Sequence, residues 1–589
     1  MLEAGGQAAA WAAWAGIAVG TAGQVLHVLL RVSALDADEA VVGLMAKHIL
    51  EGRETPVFFY GQDYFGALEA YLTVPFFALL GISTVALRLV PLLSSLAMIL
   101  LVYRLGRPTF GHRQALIAAA LTALPPLFYF DFVLRARGGF SLAYALMLLL
   151  ACLCLGWTGG RSRPEPRQSR TESGSDSTIR SRDECPRQHP GADSDPRSRR
   201  QAGESARAAG SGNGTHGRGP VRSWRAGQAF GFGVLCGLLL YLYQAALFHV
   251  AAVLAAALWL RGGPGLRALP LWTGGVLLGM LPMLVYNWVH PLATVIQAAG
   301  HKYLQIDVPA MRDQGLVTAL LAGLQNRLAM LGEGLGHLWK ALAGRPPVDS
   351  GWPEVLLAAL WTTAVLWTLW VRRSKLAGLL RRHIHISQVD GLDLALLLFA
   401  VTFAAGYSSW HYLLFCYPLA ALMLAGLLHT DRPHWLSARV AGWLPAIVLS
   451  AALALNANSL SSKLTEPQPS PRWHQLIADL EDLKLERGYS GYWIAYPVNF
   501  LSHERLLLSP LAGPVTMDRY PPHSESVGEA ARVVYVLQTG SQSERNFLQQ
   551  LSRLDVQPQT RQSGPYTLFF GVSQETRTRL AMPFAPPSE

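Results

Sequence analysis

The sequence predicts a polytopic all-α membrane protein with a small α/β domain at its C-terminal end. Three observations predict it. Of 589 residues, 51% are hydrophobic and only 15% are charged, against roughly 25% charged in soluble domains. The apolar residues gather in runs long enough to cross a lipid layer, which takes about 20 residues of helix. The last part of the chain, from about 465 to 589, leaves that pattern for alternating amphipathic and strand-like segments. Open sheets cannot supply the crossings, because every backbone amide and carbonyl in lipid needs an internal partner.

Taken in order, the apolar runs place crossings at about 9–31, 84–104, 113–131, 138–157, 228–243, 245–260, 268–288, 352–371, 391–409, 411–428 and 438–457, about eleven in all. The first run is long, starts without Lys or Arg and precedes no small-residue cleavage pattern. It is read as an uncleaved anchor. The pair 228–243 and 245–260 is short enough to form one long tilted helix instead.

The loops set the orientation. Arg104, Arg107 and Arg113 flank one turn, Arg261 and Arg267 another, and Arg432 and Arg439 a further one. Arg372, Arg373, Lys375, Arg381 and Arg382 form the densest cluster. With the N-terminus inside, all of these fall on the cytoplasmic side. An odd number of crossings then leaves the C-terminal domain outside. The net charge of +11 is thus explained by membrane topology and not by nucleic-acid binding. Of the five cysteines, four lie in or beside apolar runs and Cys185 in a polar stretch, which predicts no disulfide framework and no metal knot.

These boundaries divide the chain. Residues 1–157 form a first membrane module with an outer loop at 32–83. Residues 158–224 form a cytoplasmic linker, rich in Arg, Ser, Gly and Asp, that lacks the apolar residues to build a core and is expected to be disordered. Residues 225–460 form a second membrane module with an outer loop at 289–351, and 465–589 form the extracytoplasmic α/β domain. Within that domain HQLIADLEDLKLERG and RNFLQQLSRLDV read as helices, and GYWIAYPVNFL, ARVVYVLQ and YTLFFGV as strands. The NGT at Asn213 falls in the inner linker, where no glycan would be added. The GGPG at 262–265 is a turn, with no strand and helix around it to make a phosphate loop.

The first outer loop carries the most chemistry. Asp36, Asp38 and Glu39 follow the first crossing within a few residues. Acids at a membrane boundary either face water or serve a site, because desolvating them costs free energy. They are followed by an aromatic and polar patch, FFYGQDYFGALEAY, holding Tyr60, Gln62, Asp63, Tyr64, Glu69 and Tyr71.

The order of these features, with RARGGF at 135–140 and SSWHYLLFCYPLAALMLAGLL at 408–428, resembles the GT-C superfamily of polyprenyl-phosphate-sugar-dependent glycosyltransferases. The nearest branch holds the protein mannosyltransferases, the lipid A aminoarabinose transferase and uncharacterised bacterial envelope enzymes. The resemblance covers most of 9–457, and GYWIAYPVNFLSHERLLLSP in the outer domain also looks like that subgroup. It implies an inverting displacement. An acceptor hydroxyl or amine attacks the anomeric carbon of a sugar on a long isoprenoid phosphate. Asp38 matches the first acid of the family's DE pair, which lies beside the reacting centre.

That role is physically sound, since a weak nucleophile needs a carboxylate within hydrogen-bond reach to take its proton. Glu39 and Asp36 are the local alternatives. Tyr60, Gln62, Asp63, Tyr64 and Glu69 are candidates to shape the site and place the substrates. Arg135 and Arg137 lie at an outer helix end, against the general trend, and can hold the leaving phosphate; the alternative is interfacial snorkelling. Gly138 and Gly139 open the next crossing and can let backbone amides approach an anion. Asp131 differs in spacing from the acid that several relatives carry in this loop, which counts against a metal-binding role for it. His301, Lys302, His411 and Tyr412 are further substrate-binding candidates. Each alone is also an ordinary interface residue.

No Walker motif, dinucleotide fingerprint or HExxH occurs. No cofactor is implied with certainty, and a divalent cation stays compatible with the acids. The expected partners are a polyprenyl-phosphate-linked sugar, a lipid, glycan or protein acceptor, and membrane lipids. The expected location is the bacterial inner membrane. A lipid or glycan flippase is the rival reading, but the sequence shows no internal repeat of the kind many transporters carry. A non-catalytic glycan-binding membrane protein is the other.

Overall fold

The architecture follows from apolar helices that pack through small residues, capped by a mixed sheet. The computed structural model describes residues 2–30, 35–158, 226–259, 268–294, 329–343, 351–380, 389–406, 410–428, 449–457, 471–511 and 518–580, with single positions between some of them. The inner linker, His301 and Lys302 lie outside the described residues.

In chain order the first part holds α1 (Leu2–Leu29), α2 (Ala37–Leu50), β1 (Phe58–Phe59), β2 (Gln62–Gly66), α3 (Leu68–Leu80), α4 (Thr84–Leu87), α5 (Leu89–Phe110), α6 (His112–Ala123), α7 (Leu127–Val133) and α8 (Phe140–Thr158). Then come α9 (Ala226–Leu242), α10 (Ala246–Trp259), α11 (Leu269–Gly279), α12 (Leu281–Val289), α13 (Leu331–Ala343), α14 (Trp352–Leu380), α15 (Gly391–Gly406), a 3-10 turn at Trp410–Leu413 and α16 (Cys416–Leu427).

This is a polytopic membrane fold. Among the described residues, Gln7–Leu29, Thr84–Phe110 and Glu354–Gly378 are long and apolar enough to cross a bilayer. The pair α11 and α12, bent by 65°, makes a fourth if taken as one span. The other apolar helices have 10–17 residues. One of them, α3, falls inside the stretch read as the first outer loop; its 13 residues are too few to register as a crossing. The expected crossing at 113–131 is instead two helices, α6 and α7, broken around Pro125 and Pro126. Proline lacks the amide that a helix interior needs.

Glycines set the closest helix approach. Gly233 and Gly237 on α9 face Gly275 and Gly279 on α11. A Cβ on Gly237 would lie 2.1 Å from the Val276 carbonyl oxygen, and one on Gly275 2.2 Å from that of Phe230. Paired small residues four apart let backbones meet in this way within membranes.

After these come α17 (Pro471–Asp482), β3 (Arg487–Ser490), α18 (Tyr492–Leu501), β4 (Leu507–Pro510), α19 (Pro521–Gly528), β5 (Val534–Gln538), α20 (Gln542–Arg553), β6 (Gln559–Ser563), β7 (Tyr566–Phe570) and α21 (Gln574–Arg579). The five strands form one sheet in the order β4-β3-β5-β7-β6. β3 pairs parallel with β4 and β5, while β7 runs antiparallel to both β5 and β6. Val534 and Val536 face the core under α17 and α18, and Tyr535 and Leu537 face Phe547 and Leu551 of α20. Burial on both faces explains why β5 reads as a continuous apolar run. GYWIAYPVNFL, read above as a strand, is mostly the helix α18. An apolar run buried on two sides has no periodicity that separates strand from helix. Here α18 lies between the sheet and α2, and a Cβ on Gly43 of α2 would meet the Phe500 ring at 2.5 Å.

Candidate active site

The acids after α1 have three different fates, all decided by how α2 begins. Asp36 is the N-cap, and its Oδ1 accepts a hydrogen bond from the Glu39 amide at 2.9 Å. Such a cap satisfies one of the helix's free donors. Its Oδ2 accepts from Arg135 at 3.1 Å and also from Arg137. Arg135 additionally donates to Asp131 at 2.8 Å. Burial alone would raise the Asp36 carboxyl. The two guanidinium groups, Arg137 first, outweigh it and hold the carboxyl below its ordinary range.

Glu39 is wholly buried. Its two oxygens accept from Arg88 at 2.6 and 2.8 Å, and Arg88 is itself fully buried. A forked pair of this kind satisfies both charges within the protein. Glu39 is fully buried and does not line the cavity that Asp38 faces, so the pair belongs to the architecture.

Asp38, between them in sequence, faces a cavity of about 290 Å³. One wall carries Phe59, Gln62, Tyr64 and Phe65 of the first loop. A second carries Phe132, Arg137, Gly138 and Phe140, and a third carries His411 and Tyr412. The remaining wall comes from the α/β part, as Trp493 and Arg519. Asp38 Oδ1 accepts a hydrogen bond from the Tyr492 hydroxyl at 2.5 Å. Burial and the neighbouring Asp36 charge raise the Asp38 carboxyl above its ordinary value, against the pull of Tyr492, Arg137 and Arg519. A raised carboxylate is a stronger base.

The other expected residues separate. Gln62, Tyr64, Arg137, His411 and Tyr412 line the cavity; Asp36, Tyr60, Asp63 and Arg135 are not among its lining residues. Tyr60 stacks on Tyr520 with ring centres 4.8 Å apart and bonds His48 at 2.9 Å. Asp63 exchanges two hydrogen bonds with Gln297, at 2.9 and 3.0 Å. Glu69 is buried, and its Oε2 accepts from the Gly139 amide at 2.7 Å. Gly138 and Gly139 have φ of +77° and +94°, a region open to glycine at no steric cost. The group met by the Gly139 amide is therefore the protein's own Glu69 carboxyl, which burial pushes up to about 8.

Sequence reasoning missed Tyr492, Trp493 and Arg519. Tyr492 and Trp493 lie in the GYWIAYPVNFL stretch noted for its resemblance, but 454 positions separate Tyr492 from Asp38, and nothing along the chain joins them or Arg519 to that acid.

A second cluster lies at the other end of α2. His48 Nε2 and His523 Nε2 meet Glu504 Oε1 at 2.9 and 2.7 Å, within the span of one metal ion. The donor set does not fit a cation. Asn499 Nδ2 donates to the Leu508 carbonyl at 3.0 Å while its Oδ1 accepts from the Leu508 amide at 2.7 Å. The same Nδ2 faces His523 Nδ1 at 3.2 Å, so Nδ1 accepts and Nε2 carries the proton. A metal would need that Nε2 lone pair. Lys47 and Arg53 both occupy Glu504 Oε2, which adds repulsion. The cluster is a clamp between α2 and the α/β part.

The family model for dolichyl-phosphate-mannose-protein mannosyltransferase matches residues 67–161. Among solved structures the chain is similar to ArnT from Cupriavidus metallidurans bound to undecaprenyl phosphate, with a TM-score of 0.50 and 13% identity over 97% of this chain and 98% of that one. The chain shares the overall fold of that ArnT structure, and the family model matches a part of this chain. The apo form of the same ArnT matches at 0.49, with 12% identity over 94% of this chain and 95% of that one. An Archaeoglobus fulgidus oligosaccharyltransferase tethered to an acceptor peptide matches at 0.48, with 13% identity over 91% of this chain and 70% of that one. No curated protein matches the sequence. The family match takes in α3, the arginines at 135 and 137 and the Gly138–Gly139 turn.

Proposed function

We propose that the protein is an inverting glycosyltransferase that moves a sugar from a polyprenyl-phosphate carrier to an acceptor hydroxyl or amine on a cell-envelope lipid, glycan or protein. One observation carries the reading: among the described residues lining the cavity, Asp38 is the sole carboxylate, and two guanidinium groups share that cavity with it. Asp38 accepts the acceptor's proton as the nucleophile closes on the anomeric carbon. The carbon–oxygen bond to phosphate breaks on the opposite side, and the phosphate oxygen keeps the electron pair. One displacement inverts the configuration. Gln62, Tyr64, His411 and Tyr412 place the sugar and acceptor. The ArnT structure bound to undecaprenyl phosphate supports a lipid-phosphate donor here. We propose that this cavity opens at the outer face of a bacterial inner membrane, with the N-terminus cytoplasmic, a reading that the Arg-rich turns of the sequence support.

The experiment is sugar transfer from a defined polyprenyl-phosphate donor by the purified full chain. Asp38→Asn is expected to lower turnover by about 10²- to 10⁴-fold, the usual worth of a general base, with the fold intact by thermal melt. A folded Asp38→Asn that keeps half the wild-type rate rejects the assignment. Chelation in the same assay shows whether a divalent cation takes part.

A further inference from the structure

We infer that Arg519, carried by the α/β part of the chain, is the cation that holds the carrier phosphate, so that this part completes the reaction pocket. The inference rests on the glycosyltransferase reading and deepens it.

The membrane part offers two arginines, and both are already engaged. Arg135 is shared between Asp36 and Asp131 and is not among the cavity's lining residues. Arg137 lines the cavity, but its guanidinium is bound to Asp36. Asp36 and Asp131 set two carboxylates against these two cations, so the group carries no surplus positive charge for a phosphate.

Arg519 differs. It lines the same cavity; Asp38 is a charged neighbour across that cavity, but the hydrogen bonds of Arg519 go to neutral groups. Nε donates to the Tyr492 hydroxyl at 3.4 Å and Nη1 to the Gly61 carbonyl at 3.4 Å. With the Gln62 amide turned so that its oxygen faces the guanidinium, that oxygen accepts from both Nη atoms at 3.1 and 3.2 Å. The Phe59 and Tyr492 rings each lie 5.6 Å from the guanidinium carbon. Ring faces and neutral acceptors orient a guanidinium without cancelling its charge. An oriented cation in a partly desolvated cavity favours an incoming anion, and a planar fork suits phosphate oxygens.

The reaction supplies that anion. When the anomeric carbon–oxygen bond breaks, the phosphate gains a negative charge, and a preoriented guanidinium stabilises it as it forms. The position of Arg519 follows from the sheet. It lies in the connection after β4, and Tyr492 and Trp493 start the helix after β3. These strands are parallel, and ligands of α/β sheets gather beyond the carboxyl ends of such strands.

The test uses the full chain in detergent and two probes, undecaprenyl phosphate and undecaprenol, which lacks the phosphate. Arg519→Gln is expected to weaken undecaprenyl phosphate binding by about tenfold or more, as loss of a charge-assisted fork should, with undecaprenol binding unchanged. Arg519→Lys, which keeps the charge but not the fork, is expected to fall between the two. Wild-type affinity for undecaprenyl phosphate in Arg519→Gln overturns the inference, as does an equal loss for both lipids, which marks a structural role. If Arg519→Gln does not fold, the same comparison is read from Arg519→Lys. Sugar transfer is measured in parallel. A wild type that binds undecaprenyl phosphate through Arg519 but transfers no sugar rejects the proposed reaction and leaves this inference standing. Transfer that is indifferent to Arg519 does the reverse.

Discussion

The two ends of α2 each hold a charged cluster, and they are built on opposite plans. At the C-terminal end one carboxylate, Glu504, is shared by His48, His523, Lys47 and Arg53. Each partner is spent on holding the α/β part to the helix. At the N-terminal end Asp36 occupies Arg135 and Arg137, Glu39 occupies Arg88, and Asp38 is left facing a cavity with a tyrosine hydroxyl as its partner. A saturated cluster fastens; a cluster that leaves one acid open can react. The saturated end also serves the open one, because it fastens the part of the chain that delivers Tyr492 and Arg519.

The largest effect that tests this contrast is on Glu39. Glu39→Gln leaves the buried Arg88 charge uncompensated, which should cost about 3–5 kcal/mol of stability, read from chemical or thermal unfolding. Glu39→Gln with Arg88→Met is expected to recover most of that loss, since an apolar replacement of a buried pair is often neutral. Full stability with abolished transfer in Glu39→Gln would make Glu39 a reacting group and erase the distinction from Asp38.

Next in size is the clamp. Glu504→Gln is expected to cost about 1–3 kcal/mol and to raise amide exchange in α18 and α19. Burial alone would lift the Glu504 carboxyl; hydrogen bonds from His48, His523, Arg53 and Lys47 outweigh it and hold the carboxyl far below its ordinary 4.5. A depressed carboxyl contributes stability that is fully present above the unfolded value and is lost only as pH falls through the folded one. The gap between wild type and Glu504→Gln should therefore be constant above about pH 4.5 and persist well into acid. A gap that already closes above about pH 4.5 would show that the Glu504 carboxyl does not set the clamp.

The smallest effect sharpens the role of Tyr492. Its hydroxyl stabilises the charged form of Asp38, so Tyr492→Phe should raise the Asp38 carboxyl further. Transfer needs Asp38 unprotonated, so the acid limb of kcat/KM is expected to move up by about one pH unit, the worth of a hydrogen bond to a charged group. An unmoved limb would remove Asp38 as the titrating base.

Some of this was legible in the chain and some was not. Long apolar runs and Arg-rich turns mark a membrane protein, because lipid imposes length and charge rules on consecutive residues. The spacing of Asp36, Asp38 and Glu39 marks an acidic site but not which acid is open. That choice depends on Arg88, Arg135 and Arg137, which approach from other helices. The arginines after α7 read as a phosphate clamp because residue type shows charge and hides the partner. The glycines at 138 and 139 read as an anion nest, and the Gly139 amide is taken by the Glu69 carboxyl. The apolar stretch at 491–501 read as a strand because burial on both sides removes the periodicity that separates strand from helix.

By itself the sequence determined the membrane class, the apolar helices and the loop that holds Asp38, since each depends on neighbours along the chain. Tertiary structure decided which acids are neutralised, and it brought Tyr492 and Arg519 to a pocket that begins at Asp38, 454 positions before Tyr492. Pairing of charges is a matter of distance in space, and no pattern along a chain records it.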